Sequence, residues 1–416
     1  MGTFEKKFWD SESWYGKSGA YGAYVPDMLA GAQIALDQGV SKAVAEATAL
    51  MRELDCSAEV LTDTEPIARL LMRSEALASS RIEGMTVPAK KILEIEALDE
   101  LGVSHRLDST EVMALANIAA MRAAVEAVGL GDEITLESLC EINRMLTEGS
   151  QTADQGGKLR EVQNWVGGSD YSPVGAAYVP PSPERVPALL MDLIDFCNAS
   201  ELPALAKAAV AHAQFESIHP FVDGNGRTGR ALIQMVLRRE GAASHTVPPI
   251  SLALATDRPA YIERLMSFRA DGTASFETEA CQVLISYFAE KTVEACGIAM
   301  VFEKRMRALQ EGWRERVSPR SGSAAERLLS VLPGNPVVSV ASAARLCGRS
   351  NEAVRNAIPS LLEVGVLHQT SKNRKSNIYC ADEVLAEFTA LERALGTPGG
   401  DTAIARLARA VPQRAY

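Results

Sequence analysis

Residues 219–230 read HPFVDGNGRTGR, and no other stretch of the chain gathers so many side chains able to do chemistry. His219 titrates near neutrality and is suited to accept a proton. Asp223 offers a hard carboxylate oxygen to a divalent cation. Gly224 and Gly226 flank Asn225, so the backbone can turn tightly and aim several N–H groups at one point, a nest for an anion. The apolar run at 231–237 reads as helix. The nest therefore lies at a helix N-terminus, where unpaired N–H groups and the macrodipole favour phosphate. Arg227 and Arg230 are three apart, so both guanidinium forks share one face of the first turn. Together these residues describe a phosphate cradle with a base and a metal ligand beside it.

The elements that must hold this cradle read as mainly helical. Apolar residues at mixed spacings of three and four predict helices over 26–54, 66–77, 88–130, 132–146, 183–197, 205–215, 261–268 and 277–302. Residues 1–25 carry Trp9, Trp14, Tyr15, Tyr21 and Tyr24 among glycines and serines, and read as an irregular arm packed on its own domain. Residues 149–183 are rich in glycine and proline, with β-type pieces at 164–166 and 177–179, and read as a loop and a hairpin. Residues 308–323 are charged and then Ser/Gly/Pro-rich, which predicts a linker. Beyond it come helices at 324–332, 340–346 and 350–364, the last capped by Ser350 and stopped by Gly365. Strands at 366–370 and 377–380 then flank a basic turn with Lys372, Arg374 and Lys375. That is the order of a winged helix-turn-helix. The last 20 residues, with Gly399 and Gly400, read as loosely ordered.

The chain has 416 residues, room for two or three domains. Its net charge of −11 argues against nucleic-acid binding by the whole chain, while leaving room for one basic module. No stretch is apolar over the roughly 20 residues that a bilayer span needs. Lys6 and Lys7 are followed by no apolar run, so the N-terminus does not read as a signal peptide. Seven cysteines without CxxC pairs suggest reduced thiols, hence a cytoplasmic protein.

With these residues laid out, the chain resembles the Fic (filamentation induced by cAMP) family, whose signature HPFxDGNGRxxR residues 219–230 match at every fixed position. Residues 157–168 (GKLREVQNWVGG), 178–186 (YVPPSPERV) and 212–218 (HAQFESI) are similar to the flanking family segments. The stretch around Phe276 departs from the family in lacking tryptophans. The resemblance implies a helical Fic fold with a small β-hairpin flap and a C-terminal winged helix-turn-helix domain. It divides the chain into an N-terminal helical region (1–105), a catalytic domain (106–305), a linker (306–323), a winged helix domain (324–395) and a flexible tail (396–416).

The family activity is transfer of AMP from ATP to a Ser, Thr or Tyr hydroxyl of a protein, self-modification included, with release of pyrophosphate. The resemblance then makes His219 the general base and Asp223 the Mg2+ ligand. Asn225 and the N–H groups of Gly224 and Gly226 stabilise charge on the transferred phosphate, and Arg227 and Arg230 hold the outer phosphates. Tyr178, Val179 and Pro180 belong to the flap that would pair with an extended target. His212, seven before His219, reads as a structural partner.

Ser79 and Glu83 are four apart on one helical face, with Gly84 a natural stop, and spacing alone makes Glu83 a surface carboxylate before a C-cap. The resemblance gives residues 79–84 a sharper reading as the inhibitory motif [S/T]xxxE[G/N], its Glu83 aimed at Arg230. In some relatives this glutamate also activates water to remove AMP. Other expected partners are DNA or a protein at the winged helix, and a second copy of the chain; no membrane is expected. Two competing functions stay open: a DNA-binding transcriptional regulator with a nucleotide-sensing core, and a related transferase with another donor.

Overall fold

In the computed structural model the described residues are 2–11, 16–59, 65–100, 106–269, 279–370 and 377–394. The basic turn with Lys372, Arg374 and Lys375, the stretch around Phe276 and the tail 396–416 lie outside them. In chain order the elements are β1 (Gly2–Trp9), β2 (Gly19–Pro26), α1 (Gln38–Glu59), α2 (Glu65–Ile82), α3 (Ala89–Glu100), α4 (Ser109–Glu126) and α5 (Leu136–Thr147). There follow α6 (Val186–Ala199), α7 (Ala204–Ile218), α8 (Asn225–Arg239), α9 (Ile250–Thr256), α10 (Arg258–Phe268) and α11 (Glu279–Val317). The C-terminal part holds α12 (Ala324–Val331), β3 (Val337–Ser339), α13 (Val340–Cys347), α14 (Asn351–Glu363), β4 (His368–Gln369), β5 (Ile378–Cys380) and α15 (Asp382–Ala394).

α7 is the hub. Every residue from Leu205 to Ile218 on it is buried, and its many alanines let α1, α6, α8 and α11 close around it. Phe215 is wholly buried here, and Phe215→Ala would cost about 3–5 kcal/mol. Caps fix where the surrounding helices begin. Asp108 accepts from Glu111 N (2.8 Å) while Asp108 N donates to the Glu111 carboxylate (3.0 Å), so α4 starts on a capping box. Among the described residues, no helix is long and apolar enough to cross a membrane.

Three readings of the sequence are corrected. Residues 2–9 and 19–26 are not part of an irregular arm: β1 and β2 pair antiparallel from Gly2↔Pro26 to Trp9↔Gly19, while Trp14 and Tyr15 lie outside the described residues. Glycines and serines masked the alternation, while cross-strand contacts such as Phe4 on Tyr24 (centroids 5.2 Å apart) supply the pairing. The helix expected from residue 26 begins only at Gln38, because Leu29 N and Ala30 N donate instead to the Asp192 carboxylate (2.6 and 3.0 Å).

The linker expected over 306–323 is helix as far as Val317. Its charges lie on the outer face of α11, while Met306, Gln310 and Trp313 are buried at helical spacing. Trp313 Nε1 also donates to Glu383 on α15 (2.6 Å). The chain breaks only at Ser318, φ 44°, before Ser323 caps α12. β3, unforeseen, pairs with β5 to complete a three-stranded sheet of order β3-β5-β4.

Candidate active site

α7 ends at Ile218, and His219 follows in the left-handed region (φ 49°, ψ 61°), its N–H still bonded to Phe215 O (2.8 Å). This conformation is uncommon for a side chain with a Cβ and marks a held position. Arg160 holds it: Arg160 Nε donates to His219 O (2.9 Å), Arg160 N to Pro220 O (2.9 Å) and Arg160 Nη2 to Pro181 O (2.6 Å). Phe221, wholly buried, pins the loop. Gly224 (φ 76°) is the N-cap of α8, a conformation that suits glycine. The first helical bond runs from Thr228 N to Gly224 O (2.9 Å), so the N–H groups of Asn225, Gly226 and Arg227 precede the helical ladder and face outward from its end.

The site residues expected from sequence meet around one cavity of about 320 Å³, lined by His219, Asp223, Gly224, Asn225, Gly226 and Arg227 together with Glu83, Met85, Met113 and Val222. Asp223 is anchored by Thr152 Oγ1 (3.2 Å) and accepts from Gly224 N (2.6 Å), and its half-exposed carboxylate remains open to the cavity. Asn143 underpins the turn, donating to Asp223 O (2.9 Å) and accepting from Gly157 N (3.0 Å). Arg227 Nη1 donates to Leu146 O (3.2 Å). Its burial lowers the guanidinium pKa, against the charges of Asp223 and Glu83.

Arg230 is 1% exposed and does not reach into the cavity. Its Nε donates to Ser79 Oγ (2.8 Å) and its Nη2 to Ser79 O (2.9 Å) and Glu83 Oε1 (2.7 Å). α2 ends beside it with Gly84 at φ 84° and Met85 N bonded back to Ser80 O (3.0 Å), a C-cap that turns Glu83 toward α8. A Cβ on Gly226 would sit 2.2 Å from Glu83 Oε1, so the carboxylate lies against the first turn of α8, where the nest would seat an anion. Burial pushes the Glu83 pKa up, but the charge and hydrogen bond of Arg230 outweigh it and hold the carboxyl below its usual range. Glu83 stands against Arg230 as the sequence led one to expect, and the two bonds from Arg230 to Ser79 are additional.

Two assignments are corrected. Asn225 was expected to face the transferred phosphate, but its side chain is used inside the loop. Oδ1 accepts from Phe221 N (2.8 Å) and Nδ2 donates to Phe221 O (2.8 Å). The amide has the length to close that four-residue turn, so it shapes the loop. The segment Tyr178, Val179 and Pro180 was expected to pair with a target, but its backbone is occupied. Tyr178 exchanges bonds with Val166 (2.8 and 3.2 Å), Val179 O accepts from Tyr24 N (2.8 Å) and Pro180 O accepts from Gln163 Nε2 (3.0 Å). Tyr178 and Val179 are buried, and Tyr178 Oη donates to Ser217 O (2.5 Å) under the guanidinium of Arg269. The other arm of the flap exposes the side chains of Val162 (61%) and Val166 (44%), while its Val162, Asn164 and Val166 carbonyls accept from Arg160 Nη1 (3.3 Å), Gln163 Nε2 (3.0 Å) and Tyr178 N (3.2 Å).

His212 is buried, with its Nε2 2.7 Å from Tyr261 Oη, and serves structure as expected. Sequence reasoning missed Arg160, Asn143, Thr152 and Asn164. Their partners lie 55 to 85 positions away or are backbone atoms, and only the loop's need for anchors hinted at them. At His219, burial first and then the charges of Arg269 and Arg160 depress the imidazole pKa to about 3. The ring is thus neutral at physiological pH with one nitrogen lone pair available, but it is a weaker base than the near-neutral one expected from the sequence.

Comparison with known proteins gives two family matches, Fic/DOC family over residues 133–237 and Fic/DOC family N-terminal over residues 41–126. The chain is 27% identical over 176 residues to protein adenylyltransferase fic-1 of Caenorhabditis elegans, covering 42% of this chain and 29% of that protein. It is 35% identical over 119 residues to protein adenylyltransferase Fic of Drosophila willistoni, covering 28% and 22%. The chain thus spans less than a third of the length of these relatives. A Fic family protein from Desulfovibrio desulfuricans G20 shares its fold with a TM-score of 0.51 at 18% identity, over 84% of this chain and 98% of that one.

Proposed function

We propose that this chain, which matches the Fic/DOC family over residues 133–237 and the Fic/DOC family N-terminal model over residues 41–126, is an autoinhibited protein adenylyltransferase using ATP. The observation that carries the reading is the single cavity in which His219, Asp223, the N–H groups at the start of α8 and Glu83 meet. His219 takes the proton of a target hydroxyl. The hydroxyl oxygen forms a bond to the α-phosphorus as the α–β bridging bond breaks, and pyrophosphate leaves. The first-turn N–H groups of α8 and Arg227 hold phosphate oxygens. Asp223 fits Mg2+, being a half-exposed oxygen donor on the cavity wall, and that ion would neutralise phosphate charge.

Glu83 is the lock. Its carboxylate occupies the anion seat over Gly226 and ties up the Arg230 fork, so the phosphates are held out of line for attack. The target segment docks at the flap, against the exposed side chains of Val162 and Val166. Mass spectrometry of the Glu83→Gly protein after incubation with each nucleoside triphosphate tests the reading. Addition of AMP to a hydroxyl residue, from ATP in preference to the others, is expected; no addition from any of them would sink it.

The C-terminal part follows the order α12, β3, α13, α14, β4, β5, and we propose that it is a winged helix-turn-helix. α14 exposes Asn351, Arg355 and Asn356, with Arg345 and Arg349 on the approach to it, but also Glu352. Gel shifts of the full chain at low and moderate salt decide between a DNA and a protein partner, because phosphate contacts demand a steep salt dependence.

A further inference from the structure

His219 Nδ1 lies 3.0 Å from Asn164 Nδ2 and 3.2 Å from Asn225 Nδ2. An amide nitrogen only donates. Neither amide is free to be read the other way round. Asn225 is fixed by its two bonds to Phe221, and Asn164 Nδ2 also donates to Phe221 O (3.0 Å), which would face an oxygen if the group were reversed. Nδ1 therefore accepts, and the one proton of the neutral ring sits on Nε2. Nε2 is the nitrogen left to face a target hydroxyl, and a base at that atom needs a lone pair there. The ring as it stands is in the tautomer that cannot do the work proposed for it.

Asn164 also carries what would correct this. Its Oδ1 is buried and has no hydrogen-bond partner. Asn164 belongs to the flap, two residues before Val166, whose backbone pairs with Tyr178, and its neighbour Trp165 packs on Trp9 of the N-terminal hairpin (centroids 5.5 Å apart). We propose that Asn164 is a positioning residue that sets the tautomer of His219. In the resting protein it keeps the proton on Nε2. Turned end over end, it presents Oδ1 to Nδ1, the proton relocates to Nδ1 by exchange with water, and the Nε2 lone pair is freed. The ring stays neutral throughout. The turn breaks the Asn164–Phe221 bond and leaves Asn225 Nδ2, 3.2 Å from Nδ1, as donor against donor. It therefore accompanies a displacement of the flap that also moves the ring off Asn225, and docking of a target at the flap is the event that supplies it.

This inference rests on His219 being the base in the proposed transfer. Long-range 1H–15N spectra of the full chain labelled in histidine read the tautomer directly, with His219 assigned by loss of its signals in His219→Ala. The wild type is expected to give the Nε2–H pattern, and Asn164→Asp, which places an acceptor beside Nδ1, the Nδ1–H pattern. Asn164→Asp should also move the acid limb of the transfer-rate profile to higher pH, because a carboxylate there stabilises the charged ring; a merely structural role would move neither. An Nδ1–H ring in the wild type, or a tautomer indifferent to Asn164→Asp, overturns the proposal. A tautomer that responds in a protein without transferase activity supports the positioning role and overturns the function.

Discussion

Arg81 and Glu392 stand 311 positions apart in the chain and 3.2 Å apart in space. Arg81 lies on α2, two residues before Glu83, and Glu392 lies on α15, the last described helix. α2 has a second tie to the C-terminal part, from Arg73 Nη1 to Gly334 O (3.1 Å). The helix that carries Glu83 is thus tied to the C-terminal part at two points. The Arg81 pair is partly exposed, so it contributes on the order of 0.2–1 kcal/mol. Glu392→Ala should therefore raise AMP incorporation by no more than about fivefold, well short of removing the lock itself. A labelled-AMP assay checks this, and a rate identical to wild type would show that the clasp does not bear on Glu83.

Glu83→Gly removes both the carboxylate over Gly226 and the partner of Arg230. Restoring phosphate alignment is expected to raise transfer about 100-fold, since misplacement by about 1 Å costs that order. Single-turnover rates with labelled ATP measure it, and ATP affinity should change less than the rate.

His219→Ala in the Glu83→Gly background should lower transfer by about 100-fold or more while nucleotide still raises the melting temperature, because the base is lost and the anion seat is kept. Loss of nucleotide stabilisation as well would mean that His219 shapes the seat instead.

Glu75, wholly buried on α2, accepts from Ser251 N and Oγ (2.6 Å each) and Gln234 Nε2 (3.1 Å). Burial raises its pKa to about 7, against these bonds and the charge of Arg230. A folded-state pKa above the unfolded value of about 4.3 means the folded protein binds more protons between the two. Stability from this group is present below about pH 4 and is lost as pH rises through 7. Glu216, also raised to about 7 by burial, keeps the same sign, while His212 and His219, depressed to about 3, act in the opposite sense up to about pH 6.5. Thermal melts should therefore fall between about pH 6.5 and 8, and Glu75→Gln should flatten that fall in part. Parallel profiles for the two proteins would refute the assignment.

The cradle was legible because its parts are neighbours in sequence: a glycine, an amide and two arginines within one turn declare a helix N-terminus without reference to the rest of the chain. Contacts across long separations were legible only where a motif pointed at them, as with Glu83 and Arg230, 147 positions apart. No local pattern could pair Asn164 with His219. Asn225 was placed on the wrong side of the loop because its amide suits a phosphate and a Phe221 backbone equally well, and geometry alone decides between them. α11 was taken for a linker at its end because charge on an outer helical face reads the same as charge in a tether, until Trp313 is seen buried at the inner one.

That continuous helix changes how the two ends of the protein can communicate. A flexible tether would let the C-terminal module act on the catalytic half through effective concentration, with linker length setting the strength. α11 instead runs 39 residues, about 58 Å, from beneath α1 to the Trp313–Glu383 bond. Binding at the C-terminal part would thus bear on the rest of the chain through a continuous helix, as a tilt or a shift, and not through a local concentration.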